Sequence, residues 1–277
     1  MFNTIISAAE LSDHLTDANW RVIDCRHDLS DVEAGRRAHA GGHIPGALFA
    51  HLDEDLSGPI IPGITGRHPL PNVNAMEQQF SKWGIVFDTL VVYDDKRGAI
   101  ASRLWWMLRY LGHNSVAVLD GGLAAWQAQG GTLSTAITRP APSNFQAEVQ
   151  AAWVHDAEAV LQSQQDVTQT IVDSRAANRY RGEVEPIDPV AGHIPGAISM
   201  PFAENWQPDG LLKSAEALRE RFANLPAAEQ VTFYCGSGVT ACHNLLAYAH
   251  AGLGDARLYP GSWSDWITDA ERGVELS

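Results

Sequence analysis

Short apolar runs and amphipathic stretches alternate along this chain. Arg21–Asp24 and Thr170–Asp173 are apolar runs that end on a polar residue, the pattern of strands buried on both faces. Leu90–Tyr93 and Val231–Tyr234 form a second such pair. Each leads into a helical pattern, Ala101–Leu111 and Thr240–Ala251, that stops before a glycine, Gly112 and Gly252. Val116–Leu119 and Ala256–Tyr259 add one more strand to each half. Strands alternating with helices in this way predict an α/β fold with a mainly parallel sheet flanked by helices.

The alternation occurs twice because the sequence repeats itself. Gly-His-Ile-Pro-Gly-Ala stands at 42–47 and again at 192–197. Upstream, Val22-Ile23-Asp24-Cys25-Arg26 answers Ile171-Val172-Asp173-Ser174-Arg175; downstream, Asp120-Gly121-Gly122 leading to Trp126 answers Pro260-Gly261-Ser262 leading to Trp266. Both of these last segments read as turns ahead of a final helix. A period of 150 residues is far too long for a solenoid and indicates a duplicated domain. The aperiodic stretch 135–144 carries two prolines, and the chain is divided into a first domain at 1–138, a linker at 139–150 and a second domain at 151–277.

Composition narrows the classes. Nine Trp, eight Phe and six Tyr within 277 residues exclude a disordered chain, and no window approaches about 18 consecutive apolar residues, so no membrane span is expected. The N-terminal stretch lacks a basic segment followed by an apolar run and a cleavage site, which places the protein in the cytoplasm as an expectation. A net charge of −14 argues against nucleic acid or an anionic membrane as partner. Only three of the nineteen basic residues are lysines, so a small anion has to be held locally by arginines and backbone amides. Cys25, Cys235 and Cys242 make neither a disulfide framework nor a Cys-x-x-Cys metal pair. No nucleotide, flavin, haem or metal motif occurs, and no cofactor is expected.

The repeat is most informative where it breaks. After the matched strands, the first half reads Asp94-Asp95-Lys96-Arg97-Gly98 and the second reads Cys235-Gly236-Ser237-Gly238-Val239-Thr240. Cys235 ends a strand, on the edge where sites gather in open α/β sheets. Gly236 and Gly238 permit positive φ, which lets a short loop curl so that its N–H groups converge; the following helix adds its positive end. These features favour a thiolate, or an anion carried on its sulfur. Cys25 and Cys242 read as core residues.

The repeated Gly-His-Ile-Pro-Gly-Ala, the Asp-x-Arg ending the early strand of each half and the Cys-Gly-Ser-Gly-Val-Thr loop together resemble a tandem-domain sulfurtransferase of the rhodanese type. The likeness runs over about residues 5–270 and implies two rhodanese-like domains, the first inactive and the second catalytic. It implies a double displacement: Cys235 takes sulfur from 3-mercaptopyruvate or thiosulfate, holds it as a persulfide, and passes it to cyanide, a low-molecular-weight thiol or a thioredoxin-like protein. Rhodanese-like phosphatases use Cys-x5-Arg instead. Here Thr240 and Ala241 stand where that loop would close on its arginine, which argues against phosphoryl transfer.

Within the family, Cys-Gly-Ser-Gly-Val-Thr resembles the 3-mercaptopyruvate branch, so that donor is expected ahead of thiosulfate; a non-enzymatic persulfide carrier is the reading from another class. The resemblance implies that Gly236, Gly238, Val239 and Thr240 form the binding loop and that Ser237 assists proton transfer with His43 and Asp31 of the first half. It implies two arginines for the donor carboxylate. Arg179 matches one; the other falls at Ile187, leaving Arg181 to stand in. Arg67-His68-Pro69-Leu70-Pro71 resembles a segment bordering the active pocket. Asp24/Arg26 and Asp173/Arg175 are expected to hold the fold as partly buried ion pairs.

Overall fold

The computed structural model describes residues 2–86 and 89–277. It divides into two compact units: residues up to Gly58 together with Pro71–Gln150, and Pro59–Leu70 together with Ala151–Ser277. The first contains strands β1 (Ile5–Ile6), β2 (Trp20–Asp24), β3 (Leu48–Phe49), β4 (Thr89–Tyr93) and β5 (Val116–Leu119), and helices α1 (Ala8–His14), α2 (Ala34–Gly41), α3 (Leu52–Asp55), α4 (Val73–Lys82), α5 (Ala101–Tyr110) and α6 (Gly122–Ala128). The second contains β6 (Thr170–Asp173), β7 (Ile198–Ser199), β8 (Val231–Tyr234) and β9 (Arg257–Leu258), with α7 (Ala157–Ser163), α8 (Ala177–Tyr180), α9 (Ala215–Arg221), α10 (Ala241–His250) and α11 (Ser262–Trp266).

Both sheets are parallel, ordered β1-β5-β4-β2-β3 and β7-β6-β8-β9. The central strands β4 and β8 are apolar nearly throughout because helices cover both of their faces, and Val91, Val92, Val231 and Phe233 are fully buried. Trp126 in one unit and Trp263 and Trp266 in the other anchor cores of the same build. Burying each such side chain contributes about 1.5–3 kcal/mol.

The duplicated motifs explain one another physically. Arg26 is bidentate on Asp24, with Nη2–Oδ2 at 2.6 Å, and the same Nη2 donates to the Gly42 carbonyl at 2.7 Å. Arg175 repeats this on Asp173 and the Gly192 carbonyl, both at 2.6 Å. The N–H groups of Ile44 and Ile194 donate to the Tyr93 and Tyr234 hydroxyls. In each unit the hexapeptide is thus pinned to the strand ends by a buried ion pair and a tyrosine. Both pairs are more fully buried than the partial burial expected of them, with Asp24 and Asp173 at 0% exposure.

Two segments depart from the expected division. Residues 139–150 are fastened along the first unit rather than spanning a gap. Ser143 Oγ donates to the Ile85 carbonyl at 2.6 Å, Phe145 packs edge-on against Phe80, and Gln150 N donates to the Tyr110 carbonyl. Residues 59–70 belong to the second unit although the sequence sets them inside the first half. No helix among the described residues is long and apolar enough to cross a membrane.

Candidate active site

The loop after β8 is set by its neighbours. Cys235 N donates to Ser262 Oγ at 3.1 Å, the Cys235 carbonyl accepts from Trp263 N at 3.0 Å, and the Gly236 carbonyl accepts from Ser264 N at 2.9 Å. Ser262 lies at φ +55°, a left-handed conformation that costs about 1–3 kcal/mol for a non-glycine residue. Its hydroxyl, bridging Cys235 N and the Tyr259 carbonyl, holds it there. Gly238 has φ +75°, and a Cβ on it would meet the Pro260 carbonyl oxygen at 2.2 Å, so only glycine fits. Gly236 has an ordinary φ, contrary to the expectation that both glycines adopt positive values. Its lack of a side chain leaves room of another kind: a Cβ there would stand 3.0 Å from Arg67 Nη2 and 3.6 Å from Arg179 Nη1 and Nη2.

Cys235, Ser237 and Val239 are buried, and Thr240 is half-buried at the N-terminal edge of α10. The N–H groups of Gly236, Ser237, Val239 and Thr240 donate to no protein acceptor among the described residues. The first unit indicates what such a loop attracts. Asp94, at the position of Cys235, has its carboxylate fully buried and accepts four N–H bonds of 2.8–2.9 Å from Lys96, Gly98, Ile100 and Ala101. Seven residues from Asp94 to Ile100 precede α5, against six from Cys235 to Thr240 before α10. The extra residue leaves the loop room to close around its own side chain.

The segment 59–70 brings two groups to the loop. His68 Nδ1 lies 2.7 Å from Ser237 Oγ, with both side chains buried. Arg67 is fixed at its N–H by Ser264 Oγ, and its Nη1 pairs with Asp188. Arg179, on α8, donates from Nε and Nη2 to Glu185 at 3.1 and 2.6 Å, and from Nη2 to Asp188 at 3.2 Å. The remaining terminal nitrogens, Arg67 Nη2 and Arg179 Nη1, have no protein acceptor among the described residues and stand beside Gly236. Burial would raise the Glu185 carboxyl, but the Arg179 guanidinium and the N–H groups of Asp188 and Ile187 outweigh it and hold it below the usual glutamate range. Burial pushes Asp188 up, with the Glu185 charge adding to it, against the pull of Arg67 and Arg179.

Other expected residues have partners of their own. His43 Nδ1 and Nε2 meet the His39 and Ala136 carbonyls at 2.7 and 3.1 Å, and His193 Nδ1 meets the Tyr180 carbonyl, so both motif histidines pin backbone. Asp31 is exposed and paired with Arg37. These contacts give His43 and Asp31 local structural work in the first unit, while the partner that Ser237 takes is His68. Arg181 is exposed and paired with Glu183, and the guanidinium that joins Arg179 beside Gly236 is that of Arg67. Ile187 is a surface side chain at 45% exposure. A sequence signal for the segment existed in Arg67-His68-Pro69, but nothing local shows that it joins the other unit.

His27, His51 and Asp53 bring possible ligand atoms within 4.8 Å of one another in the first unit. His51 Nδ1 caps α3 by accepting from Asp53 N and Glu54 N, and its Nε2 meets the Val32 carbonyl, which leaves the ring no lone pair for a metal.

The family model for the rhodanese-like domain matches the chain twice, at residues 7–129 and 156–269. This chain belongs to the rhodanese family. A probable 3-mercaptopyruvate sulfurtransferase of Pseudomonas aeruginosa is 46% identical over 276 residues, covering 98% of this chain and 97% of the relative. The thiosulfate sulfurtransferase of Mus musculus is 33% identical over 291 residues, covering 100% and 96%. The crystal structure of SseA from Escherichia coli, a 3-mercaptopyruvate sulfotransferase, superposes with a TM-score of 0.82 at 31% identity, covering 95% of this chain and 99% of that one. Relatives this similar over their whole length make the rhodanese chain described here an enzyme, a sulfurtransferase.

Proposed function

We propose that the donor is 3-mercaptopyruvate and that Cys235 carries its sulfur as a persulfide. The observation that carries this reading is the pair of guanidinium nitrogens, Arg67 Nη2 and Arg179 Nη1, beside Gly236, together with the Ser237–His68 hydrogen bond on the same loop. One charged N–H donor from each of two guanidiniums suits a carboxylate, and a hydroxyl–imidazole pair suits a donor whose proton has to move.

The Cys235 thiolate attacks the donor thiol sulfur, and the C–S bond breaks with its electron pair going to carbon. The thiol proton passes through Ser237 and His68 to that carbon, so the products are pyruvate and the Cys235 persulfide anion. The loop N–H groups stabilise the terminal sulfur, as their counterparts stabilise the Asp94 carboxylate. An acceptor thiolate or cyanide then takes the terminal sulfur, and the Cys235 thiolate returns. Arg67 and Arg179 bind and orient the donor carboxylate until pyruvate leaves.

Steady-state sulfur transfer to cyanide, with 3-mercaptopyruvate and thiosulfate measured separately, tests the proposal. A higher kcat/KM for 3-mercaptopyruvate, and loss of transfer from both donors in Cys235→Ser, is the expected result. A higher value for thiosulfate overturns the choice of donor. Absence of turnover with either, while Cys235 still becomes persulfidated, would favour a persulfide carrier.

A further inference from the structure

Four charged side chains meet beside Gly236: Arg67 and Arg179 against Glu185 and Asp188. The two carboxylates do different things. Glu185 is part of the backbone architecture, since its Oε1 accepts from Ile187 N and Asp188 N, both at 3.1 Å, and its Oε2 also meets Arg175 at 3.4 Å. Asp188 holds no backbone. Its oxygens accept only from Arg67 Nη1 and Arg179 Nη2 among the described residues, the same two guanidiniums that face the loop. Its side chain is 3% exposed, so solvent does little to screen it.

We infer that Asp188 sets the charge of the donor that this enzyme accepts, by cancelling the second of the two arginine charges at the donor seat. The inference rests on the reading of Arg67 and Arg179 as the donor clamp. With Asp188 ionised the four side chains sum to zero, and Arg175 is already neutralised by Asp173. A neutral ring can still donate two charge-assisted hydrogen bonds to one carboxylate, which is what a monoanionic 2-oxo acid needs. It offers no net field to a dianion, which has to shed more hydration to enter. 3-Mercaptopyruvate is a monoanion near neutral pH because its thiol stays protonated, whereas thiosulfate is a dianion. Asp188 therefore discriminates between the two donors by charge, without touching either.

Removing that one carboxylate leaves the ring at +1, a change that favours the dianion over the monoanion. At the effective dielectric of a partly buried site, one extra unit charge a few ångströms away shifts the ratio of the two kcat/KM values by about tenfold or more. Asp188→Asn keeps the shape and Asp188→Ser removes the same charge on a shorter side chain. Asp188→Glu keeps the charge. All are assayed for sulfur transfer to cyanide with both donors, at two ionic strengths, alongside thermal unfolding. The expected result is a rise of about tenfold in the thiosulfate to 3-mercaptopyruvate ratio for the Asn and Ser variants, much the same at both ionic strengths because the site is shielded from salt, with the ratio held in the Glu variant. An unchanged ratio, or equal losses with both donors, overturns the inference and makes Asp188 a support for the arginines only. The wild-type preference decides the donor proposal separately, because the shift in ratio is read whichever donor the wild type favours.

Discussion

Replacing His68 by asparagine separates proton transfer from the other work of the site. His68 Nδ1 and Ser237 Oγ are 2.7 Å apart and buried, so an apolar replacement would strand a hydroxyl at a cost of about 1–3 kcal/mol. Asparagine can place an amide atom where Nδ1 stands and keep that bond, but it cannot take up and return a proton. Sulfur leaving 3-mercaptopyruvate moves a proton from sulfur to carbon, and a positioned acid–base pair typically supplies 10²–10⁴-fold, or about 2.7–5.4 kcal/mol of barrier. Thiosulfate gives up its outer sulfur as sulfite with no proton to move. His68→Asn is therefore expected to lower kcat for 3-mercaptopyruvate by at least about a hundredfold and kcat for thiosulfate by less than about tenfold. Pyruvate release reads the first and thiocyanate formation the second, with unfolding curves confirming that the variant stays folded. Equal losses on both donors would refute the reasoning and return His68 to a purely positional role.

Arg179→Met is expected to raise KM for 3-mercaptopyruvate by about 10–100-fold with a smaller change in kcat, since one charge-assisted bond of about 1.5–3 kcal/mol is lost; a kcat-only effect would contradict its place in the clamp. Arg26→Met leaves Asp24 buried without its cation and is expected to cost about 3–5 kcal/mol in chemical denaturation, although it lies in the unit without the cysteine loop. Gly238→Ala, which puts a Cβ 2.2 Å from the Pro260 carbonyl, is expected to abolish transfer and lower Tm, and an active variant would show that the loop can relax. Glu185 titrates below its ordinary value of 4.5, so its ionised form stabilises the native state above that value and the contribution is lost as pH falls further. Glu185→Gln is expected to flatten that part of the stability–pH profile below about pH 4.5, and an unchanged acid limb would refute the assignment.

What could be read from the residues divides along a physical line. The strands ending at Asp24, Tyr93, Asp173 and Tyr234, and the helices closing before Gly112 and Gly252, were legible because burial on both faces and a C-terminal glycine are local requirements. The cysteine loop was legible because it breaks an internal repeat. The role of His68 was not, because the choice between it and His43 depends on where residues 59–70 go, and no local energy term records that. His43 drew attention through a motif that occurs twice, yet the duplication itself reflects a structural task, since both copies bond backbone carbonyls. The same holds for the cations beside Gly236: Ile187 stands where the family resemblance places an arginine, and the guanidinium found next to Arg179 belongs to Arg67, a hundred and twenty positions earlier. At Gly236 the missing side chain provides room for guanidiniums rather than backbone freedom, and those come from residues far away in sequence.

The four N–H bonds on Asp94 give the two halves of the molecule different relations to their surroundings. In the first unit the loop carries a permanent internal ligand, so its stability does not depend on the concentration of anything dissolved around it. In the loop after β8 the N–H groups of Gly236, Ser237, Val239 and Thr240 meet no such carboxylate among the described residues, and any anion that settles there contributes free energy by mass action. On the proposed mechanism the persulfide of Cys235 is such an anion, so the sulfur-loaded form is expected to unfold at a higher temperature than the unloaded one.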